Sequence, residues 1–193
     1  MSWTIDDIGS NSQDLVKMSA ALLKASQQNI LLFCAAKDVG ADHGQNYGYP
    51  KKSGAPMFCV GGATASGQKS GNIGKQEVDL LCPESFDPME CEAQNAEIAS
   101  GSSIATALAV GLAGLLLYCV GMGEDIRGAA ERNRGDLQKH ETMRTTLLEM
   151  VELPEKYFAA PKYFTLGPSA CASWQEGGKE VIESVNKHIL RYV

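Results

Sequence analysis

Residues 101–123, GSSIATALAVGLAGLLLYCVGMG, carry no charged side chain over the length of a long helix, and this run restricts the fold more than any other stretch. Ile104 to Met122 is long enough to cross a bilayer, which takes roughly 20 apolar residues. Its composition argues otherwise. Ala105, Ala107, Ala109, Gly111, Ala113 and Gly114 are small, two serines open the run, and no Lys/Arg cluster flanks one end. A helix apolar on every side inside a large core has the same hydropathy as a span. The expectation is a central core helix, with no membrane partner.

Such a helix needs strands around it, and the chain supplies them. NILLFCAA (Asn29 to Ala36), MFCVG (Met57 to Gly61) and VDLLCP (Val78 to Pro83) are short, nearly continuous apolar runs, as in strands buried on both faces. Between them lie polar, glycine-bearing loops. SNSQDLVKMSAALLKASQQ opens with capping residues and sets Leu15, Met18 and Leu22 on one helical face. After the apolar run, GEDIRGAAERNRGD reads as a charged turn, and the next helix sets Met143, Leu147 and Met150 on one face. ELPEKYFAAPKYFTLGP reads as an irregular connection, and a last helix near Trp174 to Tyr192 carries Ile182, Val185 and Ile189. Strands alternating with helices predict an α/β fold: a mostly parallel sheet, helices on both faces and a central buried helix, in a single domain over 1–193.

At 193 residues the chain buries roughly 70% of its unfolded surface and needs no disulfide scaffold. Cys34, Cys59 and Cys119 sit inside apolar runs, and no pair has Cys-x-x-Cys spacing. Reduced, buried thiols and a cytoplasmic setting follow as the expectation. A net charge of -6 and the lack of a basic stripe argue against nucleic acid.

A serine at the start of a buried helix can do no more than cap the orphan amides of the first turn. The surrounding residues point further. GSSIATALAVGLAGLLL resembles the serine motif of subtilisin-like serine proteases (subtilases): glycine, a hydroxyl residue, the nucleophile, a hydrophobic residue, alanine, then a small-residue helix. MSWTI, ILLFCAAKDVG, Tyr49-Pro50, MFCVGGATASG, VDLLCPE and HETMRTTLLEM resemble further family segments in the same order. Ala107, where many subtilases have proline, is similar to a divergent intracellular branch common in filamentous fungi. The resemblance implies the C-terminal portion of an incomplete subtilisin-like domain.

On that resemblance Ser103 is the nucleophile, Gly101 and Ser102 precede it, and the Ser103 N–H with the helix dipole faces the developing oxyanion. Asp38 matches a position that usually donates an amide hydrogen bond to that oxyanion. An ionised aspartate cannot donate, so either Asp38 is held protonated or this half of the oxyanion hole is impaired. The related sedolisins have aspartate at the corresponding site. A plain loop or capping role is the alternative. Ser2, Trp3 and Thr4, with Ala35, Ala36 and Lys37, match the edges on which a peptide substrate pairs as an added strand.

A serine protease also needs a base and an acid that orients it. In subtilases both precede the MSWTI segment. His43, His140 and His188 are not in a His-Gly-Thr setting and read as surface residues. The expected function is therefore a serine endopeptidase domain acting through an acyl-enzyme on Ser103, its Asp and His lying upstream, weak or inactive as the isolated chain. The alternative is an inactive pseudoprotease that binds peptides or regulates. An α/β-hydrolase elbow needs a strand before the serine, and ECEAQNAEIAS is too polar for one. No cofactor is expected; calcium is possible by resemblance, but DIGSNSQD is too loose to assign ligands. A homodimer, or a companion segment supplying the missing half, is the expected partner beside the peptide substrate.

Overall fold

The computed structural model describes residues 1, 5, 12–40, 48–64, 66–73, 77–85, 101–127 and 132–151. The chain divides into two compact units, one over 1–110 with 151–158 and one over 111–150 with 159–193.

In the first unit, helix α1 (Ser12–Gln27) is followed by strands β1 (Phe33–Ala35), β2 (Phe58–Ala63) and β3 (Leu80–Pro83). The strands form one parallel sheet in the order β1-β2-β3. Each strand begins later than its apolar run, because the first residues of those runs serve as approach segments. Every residue of β1 and β2 is buried, which is why these runs do not alternate apolar with polar.

The faces of the sheet divide by register. Cys34, Ala36, Met57, Cys59, Ala63 and Leu81 form one buried cluster with Leu22 of α1, and Met18 packs against it. On the other face Phe33 and Phe58 stack with ring centroids 4.6 Å apart. Asp79 ties the sheet end to the loop before it: its carboxylate accepts from the Cys59 N–H at 2.8 Å and lies 3.2 Å from the Lys51 ammonium. At the outer edge of β1 the Met1 amino group donates to the Phe33 carbonyl at 2.6 Å, and the Ala35 N–H donates to the Met1 carbonyl at 3.1 Å.

Helix α2 (Ser102–Arg127) is the apolar run. Ser102, Ala105, Ala109, Ala113, Leu116 and Val120 form its buried stripe at helical spacing. Ser103, Ala107, Val110, Gly111, Gly114, Leu115 and Tyr118 form an exposed one. Among the described residues it is the one helix long and apolar enough to cross a membrane, by length and composition; 39% of that segment is buried.

The second unit holds the later half of α2, helix α3 (Arg132–Leu137) and helix α4 (His140–Glu149). Leu137, Met143 and Leu147 are fully buried there. The stretch 123–136 differs from the turn read in the sequence. Glu124 and Arg127 are good helix formers, so α2 runs on to Arg127, and α3 follows. The connection at 152–168 and the last helix near Trp174 to Tyr192 lie outside the described residues.

Candidate active site at the start of helix α2

The site is built where β1, β2 and β3 deliver their following residues to the amino end of α2. β1 leads through Ala36 and Lys37 to Asp38. Ala36 stays tied to the sheet, its N–H donating to the Val60 carbonyl at 2.7 Å. β3 leads to Glu84, whose carbonyl accepts from the Gly101 N–H at 2.9 Å. Gly101 then turns the chain into the helix, and its carbonyl accepts from the Ile104 and Ala105 N–H groups.

Gly101 is required twice over. Its φ of +112° lies in the region that side chains disfavour, and a Cβ there would stand 2.8 Å from the Asp38 Oδ2. Lacking a side chain, it cannot cap the helix. Asp38 does so from a distance in sequence: its Oδ2 accepts from the Ser102 N–H at 2.9 Å. Its Oδ1 accepts from the Ser102 hydroxyl at 2.6 Å. A carboxylate on the first amide of a long helix meets both the orphan donor and the positive dipole end.

Ser102 is fully buried. Its Oγ also accepts from the Gly62 N–H at 3.2 Å. Its carbonyl accepts from the Thr106 hydroxyl at 2.6 Å. One hydroxyl thus joins β2, the segment that follows β1 and the first turn of α2. Gly62 must be glycine for space, since a Cβ there would meet the Glu84 Cβ at 2.7 Å.

Ser103 is the next residue in the same turn, and it is exposed. The two serines therefore divide the work: Ser102 is locked into the frame, and Ser103 stands on the open stripe of the helix. Asp38, Gly101 and Ser102 come together at this corner of the first unit, with Ser103 next along the helix and Ala35, Ala36 and Lys37 leading into Asp38 along the chain. Ser2, Trp3 and Thr4 lie outside the described residues, as do His43 and His188. His140 begins α4 in the second unit, its Nδ1 3.2 Å from Glu141 Oε1. Among the described residues no three His, Cys, Asp or Glu side chains gather to hold a metal ion.

Gly62 and Glu84 are not legible as site residues in the sequence, where both sit in segments that read only as strands. Their signal is faint: two adjacent glycines closing an apolar strand, and an acidic residue directly after Pro83.

No protein-family model and no curated protein sequence matches the chain. Solved structures do. The prenylagaramide maturation protease PagA superposes with a TM-score of 0.53 at 18% identity, covering 79% of this chain and 50% of that one. A mutant of the protease domain of PatA superposes with a TM-score of 0.50 at 21% identity, covering 72% and 46%. The chain spans about half the length of the solved structures it matches. At these identities the likeness is one of fold. The chain has a subtilisin-like α/β fold.

Proposed function

We propose that this chain is the C-terminal part of a subtilisin-like serine endopeptidase domain. Ser103 attacks the peptide carbonyl and carries the acyl group, while the aspartate and histidine of the triad come from a segment outside it. One observation carries the reading: Ser103 is exposed on the first turn of α2 while Ser102 beside it is pinned by Asp38 and Gly62. A nucleophile needs that combination of a solvent-exposed position and a fixed backbone. It also gains from the amino end of a long helix, where partial positive charge favours a developing oxyanion. The likeness in fold to two maturation proteases supports the same reading.

The chemistry follows in order. A base supplied from outside the chain takes the Ser103 hydroxyl proton as its oxygen bonds to the carbonyl carbon. The tetrahedral oxyanion forms beside the amino end of α2. Collapse expels the amine, which takes the proton, and water later releases the acyl group by the reverse sequence. The peptide lies as an added strand along 35–37 and 2–4, a reading supported by Met1, which pairs with Phe33 and Ala35 at the outer edge of β1 and so sets the start of the chain beside it. The reaction requires no cofactor. A companion segment or a second copy covers the exposed stripe of α2, which is apolar from Ala107 to Tyr118. A cytoplasmic setting is supported by the buried thiols of Cys34, Cys59 and Cys82, none in a disulfide.

A second reading has its own observation. Both oxygens of Asp38 accept from Ser102, where an oxyanion hole wants a donor. This favours a pseudoprotease that keeps the peptide-binding fold without turnover. Fluorophosphonate labelling of the natural protein separates the two. The protease reading expects a label on Ser103 that disappears in Ser103→Ala and persists in Ser102→Ala. Complete lack of label on the folded protein removes the protease reading and leaves the binding module.

A further inference from the structure

Cys34 and Cys59 take no part in the chemistry proposed for Ser103, yet they lie side by side across the β1–β2 pair. They are register partners in the parallel ladder. Both belong to the core cluster on the α1 side of the sheet, and both thiols are free and buried. Paired strands lie about 4.8 Å apart. Two register-matched Cα atoms therefore fall within the roughly 4.4–6.8 Å span of disulfides. Parallel partners point their side chains side by side rather than together. Their Cβ atoms keep about the strand spacing, at or beyond the roughly 3.5–4.5 Å of bonded pairs. Closure is thus reachable but strained, which is the condition of a labile disulfide rather than a structural one.

The thiols are already unequal. Hydrogen bonding with Cys59 draws the Cys34 thiol below its ordinary range against the opposing effect of burial, with help from the Lys51 ammonium. The same bond, with burial, pushes Cys59 up. Cys34 is the better nucleophile of the pair.

We infer that Cys34 and Cys59 form a reversible cross-strand disulfide in response to peroxide, and that its closure loosens the grip on Ser102. The Cys34 thiolate attacks hydrogen peroxide, breaking the O–O bond to give a sulfenic acid and hydroxide. The Cys59 sulfur then attacks the Cys34 sulfur, and its proton leaves with the departing oxygen as water. In sum two thiols and one peroxide give one disulfide and two waters. The consequence for the site is geometric. Cys34 lies on the strand that runs into Asp38, and Cys59 on the strand that carries Gly62, the two groups that hold the Ser102 hydroxyl. Drawing β1 and β2 out of their regular spacing moves those holders against each other.

The test treats the full chain with hydrogen peroxide and maps its peptides without reduction. The expected product is a linked Cys34–Cys59 peptide pair, reversed by dithiothreitol and absent from Cys34→Ser and Cys59→Ser. Hydrogen exchange at the Ser102 amide should speed up on the order of tenfold on oxidation. A folded chain that yields no such pair, while the denatured chain oxidises freely, overturns the proposal; the unmodified protein decides this even where a cysteine variant fails to fold. A linked pair with unchanged exchange at Ser102 overturns the coupling. Loss of fluorophosphonate labelling on oxidation rests on reading Ser103 as the nucleophile. Absence of labelling in both redox states counts against that reading alone, because the linked pair and the amide exchange are read independently of it.

Discussion

The carboxylate of Asp38 accepts two hydrogen bonds from one residue, Ser102, at 2.9 Å from its N–H and 2.6 Å from its hydroxyl. The two are 64 positions apart in the chain. A single acidic side chain thereby joins the segment after β1 to the start of α2, one residue before the exposed Ser103.

Removing that carboxylate should loosen the helix start. Asp38→Ala is expected to cost about 1–2 kcal/mol, the usual worth of a helix cap. For a chain of this size that is a melting-point drop of roughly 2–8 °C. Asp38→Asn keeps one acceptor and brings an amide donor, so it should lose less stability and raise the labelling rate of Ser103. Differential scanning calorimetry and timed fluorophosphonate labelling check both. Equal melting points for all three proteins would show that Asp38 holds nothing.

The adjacent serines should respond in opposite ways. Ser102→Ala leaves the Gly62 N–H without its acceptor and Asp38 with one bond fewer, a loss of about 1–3 kcal/mol. Ser103→Ala removes an exposed hydroxyl and should shift stability by no more than about 0.5 kcal/mol. Urea unfolding measures each, and a Ser103 variant as damaged as the Ser102 variant contradicts the division of roles.

Gly101→Ala meets two penalties at once, a disfavoured φ and a contact of 2.8 Å with Asp38 Oδ2. The backbone strain alone costs about 1–3 kcal/mol. The variant should also uncouple Asp38 from Ser102, visible as faster amide exchange at residue 102. A variant as stable as the parent would mean that the turn into α2 is shaped differently.

Burial pushes the Cys82 thiol from 9.0 up to about 12. The folded chain therefore keeps this proton where the unfolded chain releases it. Its contribution is unchanged below pH 9 and is lost between about 9 and 12, since the unfolded state then binds fewer protons. Midpoints of urea unfolding at pH 8 and pH 10.5 should fall further apart in the parent than in Cys82→Ala. Identical slopes would place the Cys82 sulfur in water.

The exposed stripe of α2 predicts association. Leu115 and the 62% exposed Tyr118 stand on an uncharged face beside Gly111 and Gly114. Leu115→Lys with Tyr118→Lys should leave unfolding midpoints within about 0.5 kcal/mol of the parent while reducing self-association in sedimentation velocity. A large stability loss would mean that the stripe is packed within the chain.

Much of this architecture was legible beforehand, for reasons that differ by element. The three strands stand out because parallel strands are buried on both faces and so remain apolar throughout. Leu15, Met18 and Leu22 mark α1 because one face of it meets the sheet and the rest meets water. The continuation of α2 to Arg127 and the short α3 were hidden by charge, since solvated helix and solvated turn use the same polar residues. For α2 itself the difficulty is reversed. Leu116 is fully buried and Leu115 is exposed, yet hydropathy scores them alike.

The buried strands, the apolar helix, the parallel α/β class and the hydroxyl pair behind Gly101 could be read from the chain alone, because these depend on local periodicity and on the chemistry of single residues. Which of the two serines is buried and which is exposed follows from the tertiary structure alone. That choice turns on Asp38, Gly62 and Glu84 arriving at one helix end from three strands, and contacts between residues so far apart leave no periodic mark along a chain.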